Sequence, residues 1–251
     1  MYEQELKIAT ADGEMTTFVA RPDGDGPFPI AVLYMDGVGY RDQIKANARR
    51  FAADGYYCVA PDLFYRSGDG LTFDFSRMGD EAYRARLMSV IGSVKPDAVV
   101  ADTESVFEAI AGDPASADGP KVCVGYCMGA RMALHAAASM ADEFVAAAGI
   151  HPGALVTDQP DSPHRDLADV RGELYFAFAE NDHTATPENV AEFRRALAEH
   201  GVGGVVERLE GTSHGFAMAD LPVYDQAATE HHFERTLDLW RRNLAQEPVG
   251  T

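Results

Sequence analysis

The sequence predicts an α/β fold with a mostly parallel central sheet and helices on both faces. Three observations predict it. Short apolar runs alternate with segments of helical period along most of the chain. The run Lys121-Val122-Cys123-Val124 leads through Gly125-Tyr126-Cys127-Met128-Gly129 into Ala130-Arg131-Met132-Ala133-Leu134, which reads as strand, sharp turn and helix. Chemically active residues stand just after predicted strands, where open α/β sheets bind their ligands. The 251 residues, 46% hydrophobic, suffice for one domain spanning 1–251. No Ser/Gly tract, low-complexity run or repeat marks a linker.

The elements follow in order. Leu6–Thr10 and Met15–Ala20 flank Asp12-Gly13, an alternating pattern around a turn signal that predicts a β-hairpin. After a Pro/Gly/Asp loop over Arg21–Pro29, the unbroken apolar run Pro29–Met35 predicts a strand buried on both faces. The loop Asp36-Gly37-Val38-Gly39 and a helix near Gln43–Asp54 come next, then a strand over Tyr56–Ala60 ended by Pro61-Asp62. Thr72–Ile91 is predicted helical but irregular, covering the top of the sheet. Asp97–Ala111 carries a strong helical period through Ala98, Val99, Ala101, Val106, Phe107 and Ile110. Beyond the strand Lys121–Val124 lie a helix over Ala130–Met140 and strands over Phe144–Ile150 and Leu174–Ala179. A helix follows Thr186-Pro187-Glu188, with Thr as cap and Pro in its first turn. A last strand over Val205–Leu209 precedes a closing helix over Gln226–Leu244, built around Phe233, Leu237 and Trp240.

Composition narrows the function. Forty acidic against 21 basic residues give a formal charge of −19, which argues against nucleic acid and anionic membranes as partners. The N-terminal Met1-Tyr2-Glu3-Gln4-Glu5 is acidic, without a basic and then apolar leader, and no run approaches the length of a membrane span. A cytoplasmic location is the expectation. Cys58, Cys123 and Cys127 are too few and too badly placed for a disulfide framework. No C-x-x-C pair suggests a metal, and adjacent His231 and His232 point different ways on a helix. Neither metal nor cofactor is expected.

The segment Gly125–Gly129 is the G-x-S-x-G nucleophile elbow of α/β-hydrolases with cysteine in the place of serine. Two glycines permit a tight turn that exposes the sulfur near a helix N-terminus, where the dipole and free N–H groups favour a thiolate. Asp182 follows one predicted strand and His214 another. The order nucleophile, acid, histidine is that of α/β-hydrolases, and the chemistry needs this set: imidazole moves the proton and carboxylate orients imidazole. Cys58 and Cys123 read as inert buried thiols.

Nearly the whole chain resembles the dienelactone hydrolase family, cysteine-dependent members of the α/β-hydrolase fold. The resemblance rests on Gly55-Tyr56-Tyr57-Cys58-Val59-Ala60-Pro61-Asp62-Leu63-Phe64-Tyr65-Arg66, on Gly125–Gly129, on Asp182 and on His214-Gly215-Phe216. It implies Cys127 as nucleophile, His214 as base and Asp182 as its orienter. Family members carry a glutamate after the first core strand that helps generate the thiolate, and Asp36 stands at that position, one methylene shorter. The N–H groups of Gly37 and Met128 are the expected oxyanion hole. The family's dienelactone-cleaving members hold the substrate carboxylate with arginines. Met218 occupies one such position and Gly79 falls near the other, while Tyr83 is retained, so a less anionic substrate is expected. Tyr83 and Met218, with Phe73 and Phe75, form a pocket wall or ordinary cap packing; His151 lines the pocket or serves the turn at Pro152-Gly153.

The resemblance implies a cofactor-free hydrolase of a small ester or lactone, working through a thioester on Cys127, as a monomer or weak homodimer. Thioesterase or peptidase specificity on the same scaffold is the alternative within enzymes. The other is a redox-sensing or ligand-binding protein with a vestigial site.

Overall fold

The computed structural model describes residues 1–245. Eight strands form one sheet: β1 (Tyr2–Thr10), β2 (Gly13–Arg21), β3 (Ile30–Tyr34), β4 (Tyr57–Pro61), β5 (Lys121–Tyr126), β6 (Phe144–Ile150), β7 (Glu173–Asn181) and β8 (Gly204–Ser213). Their order is β1-β2-β4-β3-β5-β6-β7-β8. The first pair is an antiparallel hairpin that also joins β4 antiparallel, and from β4 to β8 every pairing is parallel. The predicted mostly parallel sheet is therefore present. Each of β3, β4 and β7 is buried along nearly its whole length, as strands covered on both faces must be. β1 and β8 are the edges and expose much of their length, which their charged residues suit.

Among the described residues six α-helices accompany the sheet: α1 (Asp42–Ala53), α2 (Glu81–Ser93), α3 (Pro96–Ile110), α4 (Met128–Ser139), α5 (Pro187–Glu199) and α6 (Gln226–Leu244). α1 and α6 meet through an aromatic seam. The Phe51 ring lies 4.8 Å from Phe233 and 4.7 Å from Trp240, and Tyr56 packs edge-on to Trp240. α4 packs against β3, β5 and β6 and carries α3 on its outer side. Thr186 caps α5 through the Asn189 N–H with Pro187 at its first position, as the sequence predicts.

The segment Thr72–Ile91 differs from the expected irregular helix. Thr72 bridges Gly39 in extended form, Phe75–Arg77 makes one 3₁₀ turn, and only then does α2 begin, capped by Asp80. The reason is local. Asp74 accepts from the Ser76 N–H and Asp80 from the Tyr83 N–H, so two aspartate caps cut the segment into separate turns. α2 buries only Leu87 fully, which explains why its apolar period is weak. Among the described residues no helix is long and apolar enough to cross a membrane.

The α1–α6 seam yields the first test. Phe51→Ala removes a fully buried ring from between Phe233 and Trp240 and is expected to cost about 3–5 kcal/mol in urea unfolding, without moving the carboxyl ends of the parallel strands.

Candidate active site

The site lies at the carboxyl ends of the parallel strands. Tyr126 ends β5, Cys127 follows, and Met128 opens α4. Cys127 adopts φ 53° and ψ −112°, a left-handed conformation that a side-chain-bearing residue holds at a cost of about 1–3 kcal/mol. Its N–H donates to the Ile150 carbonyl at 3.0 Å, which ties the turn to β6. The flanking glycines are steric necessities. A Cβ on Gly125 would lie 1.9 Å from the Gly129 carbonyl oxygen, and one on Gly129 would lie 2.2 Å from the Tyr34 oxygen of β3. Only bare backbone lets α4 start this close to the sheet.

Two more strand ends supply the partners of Cys127. His214 follows β8 in a turn closed by the Phe216 N–H on the Ser213 carbonyl, with Gly215 at φ +94°. Its Nε2 lies 2.9 Å from the Cys127 Sγ, and its Nδ1 lies 2.5 Å from Asp182 Oδ2. Asp182 turns off the end of β7, and its other oxygen accepts from the Thr184 N–H and hydroxyl at 2.8 and 2.7 Å. With one oxygen pinned by Thr184, the other can only face His214.

Charge follows from this geometry. Burial opposes a charged His214, but the Cys127 sulfur and the Asp182 carboxylate outweigh it and push the imidazole up to about 11. Burial likewise opposes ionised Asp182, but the bonds from His214 and Thr184 hold it below the usual carboxylate range. Cys58 and Cys123 are fully buried, and burial pushes both thiols up; Cys127 is half-buried.

The loop after β3 lies alongside. Val38 N–H donates to Asp36 Oδ1 and Gly39 N–H to the Asp36 carbonyl, while the intervening Gly37 N–H makes no such turn bond. A Cβ on Gly37 would lie 2.6 Å from Ile91 Cδ1, so α2 rests directly on this loop. Met128 N–H is in the first turn of α4, where N–H groups have no intrahelical acceptor.

Asp36 has a different partner from the one expected. Its carboxylate is buried and receives both Nη groups of Arg41 at 2.6 and 2.9 Å, and Cys127 is not among its hydrogen-bond partners. Arg41 in turn gives its Nε and Nη2 to Asp220, at 2.6 and 3.1 Å. The shorter carboxylate is thus satisfied within its own loop and strapped to the segment after His214. Sequence spacing held no signal for this strap, because Arg41 and Asp220 lie 179 positions apart.

The remaining expected pocket residues also find definite places. Met218 is fully buried, its sulfur 4.0 Å from Asn47 Nδ2, and belongs to the core rather than to an open wall. Tyr83 braces the cap: its hydroxyl accepts from the Asp74 N–H at 2.6 Å and its ring packs edge-on to Phe73. His151 is fully buried behind His214, ring centroids 5.4 Å apart, at φ 39°. Burial and the neighbouring His214 push it well below the usual histidine range, so it stays neutral. Neither ring nitrogen has a hydrogen-bond partner among the described residues.

Known proteins share this arrangement of chain. The model of the dienelactone hydrolase family matches residues 15–244. The carboxymethylenebutenolidase of Pseudomonas sp. (strain P51) is 28% identical over 232 residues, covering 90% of this chain and 88% of that one. Carboxymethylenebutenolidase 1 of Cupriavidus pinatubonensis is 27% identical over 232 residues, covering 90% and 91%. The crystal structure named "Putative Dienelactone Hydrolase" from Klebsiella pneumoniae superposes with a TM-score of 0.84 at 21% identity, covering 96% of this chain and 98% of that one. The fold is that of the α/β-hydrolases.

The strap makes a quantitative expectation. Arg41→Met leaves Asp36 buried without its cation and should lower unfolding free energy by about 3–5 kcal/mol. Adding Asp36→Asn should return part of that loss; a double variant as unstable as the sum of its singles would show the pair to be uncoupled.

Proposed function

The chain belongs to the dienelactone hydrolase family, and on that footing we propose that it hydrolyses a small ester or lactone through a thioester on Cys127. The observation that carries the reading is the relay Asp182–His214–Cys127, with 2.5 and 2.9 Å between successive heavy atoms.

Each step uses a group already in position. In the first step His214 takes the thiol proton of Cys127, leaving a sulfur anion paired with imidazolium. The sulfur attacks the carbonyl carbon, and the carbonyl electron pair moves to oxygen, where the Gly37 and Met128 N–H groups receive the charge. Collapse re-forms the carbonyl and breaks the carbon–oxygen bond; the departing alkoxide or enolate takes the proton from His214. A water then gives its proton to the now neutral His214 and attacks the thioester. The second tetrahedral species expels the Cys127 sulfur anion, and the acid leaves. Asp182 keeps the imidazole tautomer and plane throughout without exchanging a proton. Asp36 takes no part in this account, since Arg41 holds it, and the thiol proton goes to His214 alone.

Cys127→Ala should abolish turnover of a short aryl ester, with Cys58→Ala keeping its activity per folded molecule. Undiminished turnover by Cys127→Ala would overturn the mechanism. Acyl-thioesters and dipeptides tested alongside decide the acyl preference.

A second expectation concerns pH. A base whose affinity is raised keeps its proton through neutrality and loses it only as pH climbs toward about 11; a lowered carboxylate stays ionised until strongly acid solution. The His214 ring should therefore stay protonated between about pH 6 and 9 in nitrogen-15 NMR, where a free imidazole would lose its proton. Asp182→Asn should lower the pH at which that proton is lost. A His214 ring already neutral at pH 8 would sink the ion pair.

A further inference from the structure

A cavity of about 410 Å³ lies between the loop after β3, the cap and the segment after His214. Val38, Leu221 and the ion-paired Arg41 and Asp220 line it, with Phe73 and Phe75 of the cap as its roof. Two of these residues adjoin the loops that carry Gly37 and His214. Val38 is the residue after Gly37, and the Leu221 side chain packs on Gly215, the residue after His214, 3.1 Å from where its Cβ would be. Phe73 N–H donates to the Val38 carbonyl at 2.8 Å, so the roof is laced to the same loop. A cavity of about 150 Å³ holds benzene, so this one accommodates a substituted ring.

Its charge is unusual for a family whose dienelactone-cleaving members hold a carboxylate with arginine. Arg41 is the one cation among the lining residues, and a guanidinium has five N–H donors. Here all five are committed: Nε to Asp220, Nη1 to Asp36 and the Gly39 carbonyl, Nη2 to Asp36 and Asp220. No donor remains for a substrate carboxylate. Asp74, also in the lining, is held by the Ser76 hydroxyl and N–H and makes no ion pair among the described residues. Asp36 and Asp220 thus saturate the guanidinium, and Asp74 and Asp220 are the carboxylates of the lining.

We propose that this cavity is a subsite for an apolar substrate group that selects by charge, taking an ammonium-bearing or uncharged ring and rejecting a carboxylate. The apolar part packs on Phe73, Phe75 and Leu221; the cation faces Asp74 and Asp220 and the aromatic roof. The assignment rests on the hydrolase reading and narrows its substrate class.

Calorimetric titration of the full chain at low ionic strength tests it, with benzyltrimethylammonium, benzyl alcohol and phenylacetate as probes. The cation should bind at least about tenfold more tightly than phenylacetate, with the alcohol between. Asp74→Asn should shrink that ratio about threefold or more. Asp220→Asn should shrink it too and also strengthen phenylacetate binding, because it releases Arg41 donors. Glu104→Gln, on the exposed side of α3, removes the same charge elsewhere and should leave the ratio as it is. Equal binding of the three probes, no binding of the cation, or an equal response to Glu104→Gln would overturn the subsite. Phenyl acetates bearing matching charges separate the two readings. Ester turnover without charge preference overturns the subsite alone; charge-selective binding without any ester turnover overturns the hydrolase reading alone.

Discussion

The site depends on a backbone-to-backbone contact. In the first turn of α4, Gly129 lies against the Tyr34 and Met35 carbonyls at the end of β3, and Gly125 of β5 lies against the Gly129 carbonyl in turn. No side chain intervenes. That approach places the first turn of α4 over the middle of the sheet, with its free N–H groups and positive end at the sulfur. It also forces Cys127 into its left-handed conformation, lifting the side chain out of the turn. A nucleophile, a helix N-terminus and the loop after β3 converge because three elements share one van der Waals gap.

Around that contact, charge is arranged in two closed circuits. One runs from Asp182 through His214 to the Cys127 sulfur. The other runs from Asp36 through Arg41 to Asp220. The second circuit fastens the loop after β3 to the segment after His214, so two loops from distant parts of the chain hold a fixed spacing. A buried carboxylate with a full set of donors suits that task better than it suits exchanging partners during a reaction.

Much of this was legible in the sequence because it is local. The strands β3, β5 and β7 are unbroken apolar runs, the elbow is five consecutive residues, and Asp182 and His214 each follow a strand within a few positions. The parts that escaped are nonlocal or locally ambiguous. The Arg41–Asp220 pair spans the chain without any periodic trace. Met218 and His151 look the same in sequence whether they face a ligand or the core, and only packing places both inside. The cap misleads for another reason: Asp74 and Asp80 fall within the stretch expected to be one irregular helix, but each caps the start of a separate turn.

The differing burial of the three thiols has a practical reach beyond the reaction. Cys58 and Cys123 are sealed inside the sheet, and Cys127 alone meets solvent. An alkylating reagent offered to the native chain therefore distinguishes one sulfur from two without any engineering. The stoichiometry of its uptake counts competent sites directly, and a fluorophore delivered the same way lands on a single known atom. The two silent cysteines become a gauge of integrity, since they react only when the sheet has opened.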